Sequence, residues 1–317
     1  MESARDKRTR EIVEAEDLWL LDSVDTEGYV CWGCGIEMYP SAWQKGRKKR
    51  PSFNRMPGKE HKPDCDADAE STIVKQGQKK SVRHVLDSAP GLMPSGLKLI
   101  EQRPIVESSI AGGESKSSST RSASTRSGEG NYPERQSRRS VNAIRQICRA
   151  FIRFPYDRGM SLNMPGIDAD TYMTVFKKLK DPIQSYPDRR VFYSQLLWQN
   201  FEQNDSRLII PLSGEWAKNE FGKLKPSRSY KLHVEWGNWS QAKRTALRNE
   251  LDAAQEEAKD AGKKKLQDRA QVFFIGEQST ADHEIFYVTD YRLICAIIGY
   301  VSYPGIENKI NELNRKS

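Results

Sequence analysis

Residues 229–262 read SYKLHVEWGNWSQAKRTALRNELDAAQEEAKDAG, and two periodicities meet inside them. Up to Trp236 the apolar side chains fall at every second position, Tyr230, Leu232, Val234 and Trp236, with Lys231, His233 and Glu235 between them. Period two sends the two sets to opposite faces, so this is a strand with one buried and one solvated face. From Ser240 the spacing becomes helical. Leu247, Leu251, Ala254, Ala258 and Ala261 form one stripe, with Ser240 as N-cap and Gly262 as stop. A half-buried strand feeding a long amphipathic helix belongs to an α+β domain, with a mostly antiparallel sheet or open barrel.

The same pattern extends on both sides. Ile144, Ile147, Cys148, Phe151 and Ile152 recur at helical spacing, and Arg145, Arg149 and Arg153 occupy another face of that helix. Strands are expected over 190–198, 207–212, 272–275 and 285–289. For 293–301 the periodicity is ambiguous, and Asp290 as an N-cap tilts the reading to a short helix. Tyr193, Trp198, Tyr230 and Trp236 sit at strand spacing and are expected in the core, as are Cys148 and Cys295. The larger domain therefore covers 141–317. Before it, residues 106–140 are Ser, Gly, Thr and Arg with almost no large apolar side chain, a composition that predicts a disordered linker. Residues 1–105 hold the remaining unit, beginning with a helix-like stretch over 12–21 and a strand running into Cys31.

The 317 residues carry 51 Lys and Arg against 43 Asp and Glu, a net charge of +8. No stretch approaches the roughly 20 apolar residues that span a bilayer, and the charged start, Met1 to Arg10, is followed by no apolar segment. A cytoplasmic protein is the expectation. Five cysteines, an odd number in a long chain of this kind, argue for metal ligands over a disulfide framework.

Four side chains fit that role. Cys31-Trp-Gly-Cys34 is followed, after 26 residues, by His61-Lys-Pro-Asp-Cys65, two close pairs of the donors a tetrahedral zinc ion takes. Gly33 and Gly35 let the backbone curl around the first pair, and Pro63 stiffens the turn between the second. A redox dithiol at Cys31 and Cys34, or separate core cysteines, are the other readings; zinc is favoured because no thioredoxin-like pattern surrounds the motif. Four protein ligands close the site, which makes it structural rather than catalytic.

The segments EGYVCWGCGIEMYP and RPSFNRMPGKEHKPDC, within about 27–66, resemble the N-terminal zinc-ribbon-like module of the competence protein CoiA family. That resemblance implies a zinc-stabilised module in a bacterial protein that handles DNA, ahead of a nuclease-like domain. The family's His-Phe-x-His element is replaced here by Ser52-Phe53-Asn54-Arg55. Its nuclease pattern needs Glu-x-Lys on a strand, and this sequence has Glu-x-Lys only at Glu60, Glu114, Glu257 and Glu307, none on an expected strand. No catalytic residue is assigned. Asp282-His283-Glu284 reads as a solvated turn.

Charge is concentrated in two segments: 44–84 has twelve Lys or Arg against five acids, and 135–158 has seven Arg against one Asp. Lys45, Arg47, Lys48, Lys49 and Arg50 in the zinc loop, with Arg145, Arg149 and Arg153 on the helix, are the residues expected to meet phosphates. Tyr39, Trp43 and Phe53 interleave with the first run and could stack on bases. The leading expectation is a nucleic-acid-binding protein, DNA rather than RNA, with two units tethered independently by the linker. A metal-dependent nuclease and a protein-interaction adaptor, with a protein partner in a larger assembly, are the alternatives.

Overall fold

The computed structural model describes residues 1–44, 49–63, 65–88, 91–99, 140–218, 220, 222 and 224–304. The expected linker, up to residue 139, therefore lies outside the described residues, as do Lys45, Arg47 and Lys48.

The N-terminal unit is a five-stranded antiparallel sheet. Its strands are β1 (Ser3–Asp6), β2 (Ile12–Glu14), β3 (Tyr29–Val30), β4 (Glu37–Ser41) and β5 (Ser52–Arg55), in the order β2-β1-β3-β4-β5. The stretch expected as a helix over 12–21 divides into β2 and a 3₁₀ turn, Ala15–Leu20. Backbone pairing explains the division: β2 is registered on β1, and the Ala15 amide donates to Glu2 O at 2.7 Å. Ala4, Leu18, Tyr29, Met38 and Phe53 form a small core, which also includes Cys31 and Cys65. Helices α1 (Asp66–Gly77) and α2 (Arg83–Ser88) lead away from it. Val82, Leu86, Met93 and Leu97 already pack in the larger core, so the side-chain boundary between the units falls well before residue 105.

The larger body begins with short β6 (Gly96–Leu97), β7 (Ser140–Val141), α3 (Arg145–Arg153) and α4 (Tyr172–Val175). Then come β8 (Phe176–Lys178), β9 (Val191–Gln195), β10 (Glu202–Gln203), β11 (Arg207–Lys218), β12 (Leu224–Glu235) and α5 (Gln241–Lys263). The chain closes with β13 (Arg269–Phe274), β14 (Glu277–Gln278), β15 (Ile285–Val288) and β16 (Ile294–Gly299). Two sheets result, β16-β13-β9-β8 and β10-β11-β12-β15-β14, joined by a bridge between Leu196 and Leu212. Pairing is mostly antiparallel, with β8–β9 and β12–β15 parallel. The fold is α+β.

Strand alternation builds the layers. Phe274 and Phe192 point to the second sheet, meeting Phe286 with centroids 5.3 and 5.0 Å apart. Phe273 and Tyr193 point the other way, onto Phe151 of α3. As expected, Ser240 caps α5, its side chain accepting from the Lys243 amide. Residues 294–299 form a strand where a helix was expected. The Asp290 cap is real, but it serves only the 3₁₀ turn Tyr291–Leu293, and the buried, β-branched run after it pairs with β13. Trp198 is also misplaced by the sequence reading: it is 53% exposed, with Lys259 Nζ 5.6 Å from its ring.

Candidate metal centre and the fate of the basic residues

The Cys31–Cys34 pair lies in the tight connection between β3 and β4, where the Cys31 amide donates to Ile36 O at 2.7 Å and the Gly35 amide to Cys31 O at 2.9 Å. Gly35 has φ of +77°, a backbone conformation costly for other residues. Gly33 is required for another reason: a Cβ there would meet Cys65 Sγ and the Ala67 amide nitrogen at 3.0 Å. The second pair arrives from the loop after β5, with Cys65 as the residue before α1.

The four donor atoms lie within 4.8 Å of one another and can hold a metal ion. Cys31 Sγ and Cys65 Sγ are 3.7 Å apart, and His61 Nδ1 is 3.3 Å from Cys34 Sγ and 3.5 Å from Cys65 Sγ. A tetrahedral ion with metal–sulfur bonds near 2.3 Å and metal–nitrogen bonds near 2.0 Å has donor edges of about 3.8 and 3.5 Å. Amides converge on the sulfurs as well: Gly33 and Cys34 donate to Cys31, Ile36 and Lys62 to Cys34, Ala67 and Asp68 to Cys65. Burial pushes the Cys31 thiol up to about 12 and lifts that of Cys65. Burial acts the same way on Cys34, but the Ile36 and Lys62 amides and His61 outweigh it and bring that thiol to about 6. A bound cation displaces the remaining protons.

The arginines have a different fate. Arg145, Arg149 and Arg153 on α3 turn towards the N-terminal unit. Arg149, 6% exposed, pairs with Glu14 at 2.8 Å, with Glu16 and with Glu2. Arg145 meets Glu250 at 2.9 Å and Asp17 at 3.4 Å, and Arg153 meets Glu2 at 2.5 Å and Glu70 at 3.0 Å. From the other side Arg50 reaches Glu16 at 2.9 Å, Glu257 at 3.1 Å and the backbone oxygen of Ala296 at 3.0 Å. Four guanidiniums thus face seven carboxylates at the junction of the two units. The expectation that Arg50, Arg145, Arg149 and Arg153 contact phosphate is corrected: they are already paired, and the acid excess would repel a polyanion. Tethering as independent units is corrected with it, since Trp19 also packs on Ala246 and Ala253 of α5.

Of the remaining expected contacts, Lys49 is exposed, while Phe53 is fully buried and closed to base stacking. Glu257, one of the Glu-x-Lys residues, is on α5 and bound to Arg50; Glu60 is in the loop before His61. His283 is exposed in a turn, next to Glu284, which holds Arg228 and Lys231. Sequence reasoning missed the acids that neutralise the arginines. Two signals were present: the run Glu14-Ala-Glu16-Asp17, and Glu250, which shares a helical face with Leu247, Leu251 and Ala254 and so is an acid on the buried stripe.

No helix among the described residues is long and apolar enough to cross a membrane. No protein-family model, curated protein or solved structure matches the chain.

Proposed function

We propose that this chain is a zinc-stabilised nucleic-acid-binding protein, acting on DNA rather than RNA and without catalysis of its own. Three thiols and an imidazole are the donor set zinc prefers, and a reducing compartment such as the cytoplasm keeps them available. One observation carries the binding role: Arg55, Lys59, Lys62, Lys75, Lys79, Lys80 and Arg83 are exposed and make no ion pair among the described residues. In the same stretch the exposed carboxylates among the described residues are Glu60, Asp68 and Asp87. The free positive charge therefore lies beside the metal centre and along the segment from α1 to α2, on side chains that the acidic junction does not engage. A phosphate backbone is the partner such a surface attracts, through counterion release. The resemblance of 27–66 to the CoiA-type module points the same way.

The test is binding of labelled single- and double-stranded DNA and RNA across a salt series. Replacing Lys75, Lys79, Lys80 and Arg83 together by Ala should weaken binding to all sequences alike. For duplex DNA it should reduce the salt slope by roughly 3 to 4, near 0.9 per lost contact. No binding by the unmodified chain at 150 mM salt and micromolar protein would transfer the role to protein interaction.

A further inference from the structure

Strands β11 and β12 extend well past the sheet they belong to. They pair from Arg207–Glu235 to Lys218–Leu224, but β10 leaves β11 at Ile209, the Leu196 bridge ends at Leu212, and β15 leaves β12 at Lys231. Beyond Ser213 and Ser229 no other described strand borders the pair. Trp216, Ala217 and Lys218 on one strand and Lys225, Pro226, Ser227 and Arg228 on the other are all exposed. This is a two-stranded ribbon, solvated on both faces and with two open edges. A ribbon of that kind has no core of its own and is marginal in water.

Its base, by contrast, is built with care. The register shifts on either side of Glu215, a β-bulge, and Gly214 lies so close to β12 that a Cβ would meet Arg228 O at 2.8 Å. Bulges bend a strand and re-aim the residues beyond them. Glu215 accepts from the Ile183 amide at 3.0 Å and pairs with Arg228 at 3.2 Å, while Arg228 is also held by Glu284 at 2.8 Å. Trp216 Nε1 donates to Ser213 Oγ at 2.8 Å. The arm is aimed from a braced root.

We propose that this arm inserts into the major groove of duplex nucleic acid, with Lys218 and Lys225 reaching the flanking phosphates and Trp216 lying along the groove wall. The proposal rests on the nucleic-acid-binding reading and names the element that enters the duplex. Three features favour this occupant. Residues 216–227 read WAKNEFGKLKPS, three lysines against one glutamate, so the arm complements a polyanion. From Glu215 to Lys218 is three residue steps of about 3.4 Å, about 10 Å before the connecting residues, against a groove about 8.5 Å deep and 12 Å wide that admits a two-stranded ribbon. Pro226, opposite Trp216, has no N–H to offer a third strand, and edge lysines also discourage strand addition, so a peptide strand is not the favoured guest.

The experiment uses the full-length, metal-loaded chain and a labelled duplex of about 20 base pairs. Lys218→Ala/Lys225→Ala should weaken duplex binding roughly tenfold at 100 mM salt and lower the salt slope by about 2, at 0.9 per contact. Methyl green, a major-groove ligand, should compete, and Lys177→Ala/Lys178→Ala, at exposed positions on β8, should change nothing. All four positions are exposed, and an unchanged thermal midpoint checks that folding is intact. Duplex binding that persists unaltered in the Lys218/Lys225 variant overturns the arm and leaves the nucleic-acid reading standing. An equal loss on single strands overturns groove insertion. No binding by the unmodified chain to any nucleic acid overturns that reading itself, and the arm with it.

Discussion

Helix α3 presents Arg145, Arg149 and Arg153 to carboxylates at a buried junction, whereas the segment from Arg55 to Arg83 holds its cations out in water. By composition the two segments are alike. In the fold one is structural and the other is available. The difference lies in what faces them: Glu14 arrives from the end of β2, Glu16 and Asp17 from the 3₁₀ turn, and Glu250 from α5, all meeting the arginines of α3. A guanidinium taken out of water must be matched by carboxylates in good geometry, and bidentate contacts such as that of Arg145 with Glu250 supply it. Positive charge counted along a chain is therefore not positive charge offered to a partner. Arg50 shows this within one run, since it is drawn into the junction while Lys49, its neighbour, is exposed.

The strongest way to break this contrast is to take away one of the four candidate metal ligands. Cys65→Ser takes away one donor and the residue that precedes α1. Zinc content should fall from one per chain towards zero, and the N-terminal sheet should lose its order, because structural zinc contributes about 10–16 kcal/mol in small zinc-binding peptides. Because Arg50 docks that unit on α5, chelation should also lower the thermal midpoint of the larger body. A midpoint that does not move would show that the junction contributes little. Unchanged zinc in the variant would place the metal elsewhere.

Next in size is the junction itself. Arg149→Met keeps the bulk of the side chain but removes the guanidinium that Glu14 and Glu16 share, leaving Arg50 in contact with Glu16, a loss of about 3–5 kcal/mol read by urea unfolding. Duplex affinity per folded molecule should stay the same, which separates this arginine from the exposed lysines. If Arg149→Met instead weakened DNA binding at unchanged stability, the arginine would be a phosphate contact after all.

Much of this molecule was legible in its sequence. The four candidate metal ligands stand out because they come as two close pairs, the spacing a small coordination sphere demands, and local turns bring each pair together. Strand β12 and helix α5 were legible because one buried face imposes a period. What was not legible depended on tertiary partners. Residues 294–299 are apolar throughout, so no period distinguishes strand from helix until β13 is there to pair with them. Trp198 lies beyond the last paired residue of β9, Gln195, so alternation no longer controls it. The arginine stripe of α3 looked solvated because the acids that cover it lie between 83 and 151 residues away in sequence. The open arm of β11 and β12 gave no hydrophobic period at all, which is why only the half of it within the sheet was anticipated.

The smallest expected effect is a pH dependence at Glu16. Its carboxylate is enclosed, and burial alone would raise its pKa, but Arg149, Arg145 and Arg50 outweigh that and hold it at about 2, against 4.5 when exposed. A depressed carboxylate stabilises the fold fully above its unfolded value and loses that contribution as pH falls from about 4.5 towards 2. Glu2 shifts in the same direction, while Asp17 and Glu70, raised by burial, shift in the opposite one and soften the slope. Between pH 6 and pH 3 the Glu16 contribution amounts to about 2 kcal/mol at one pKa unit per 1.36 kcal/mol. Glu16→Gln should be less stable at pH 6 and should lose less on acidification, so that the two stability curves converge as pH falls. Metal release by acid affects both proteins and cancels in the difference. Urea unfolding at intervals between pH 6 and pH 3 reads it directly, and parallel curves would mean that Glu16 is not the ionised centre of the junction.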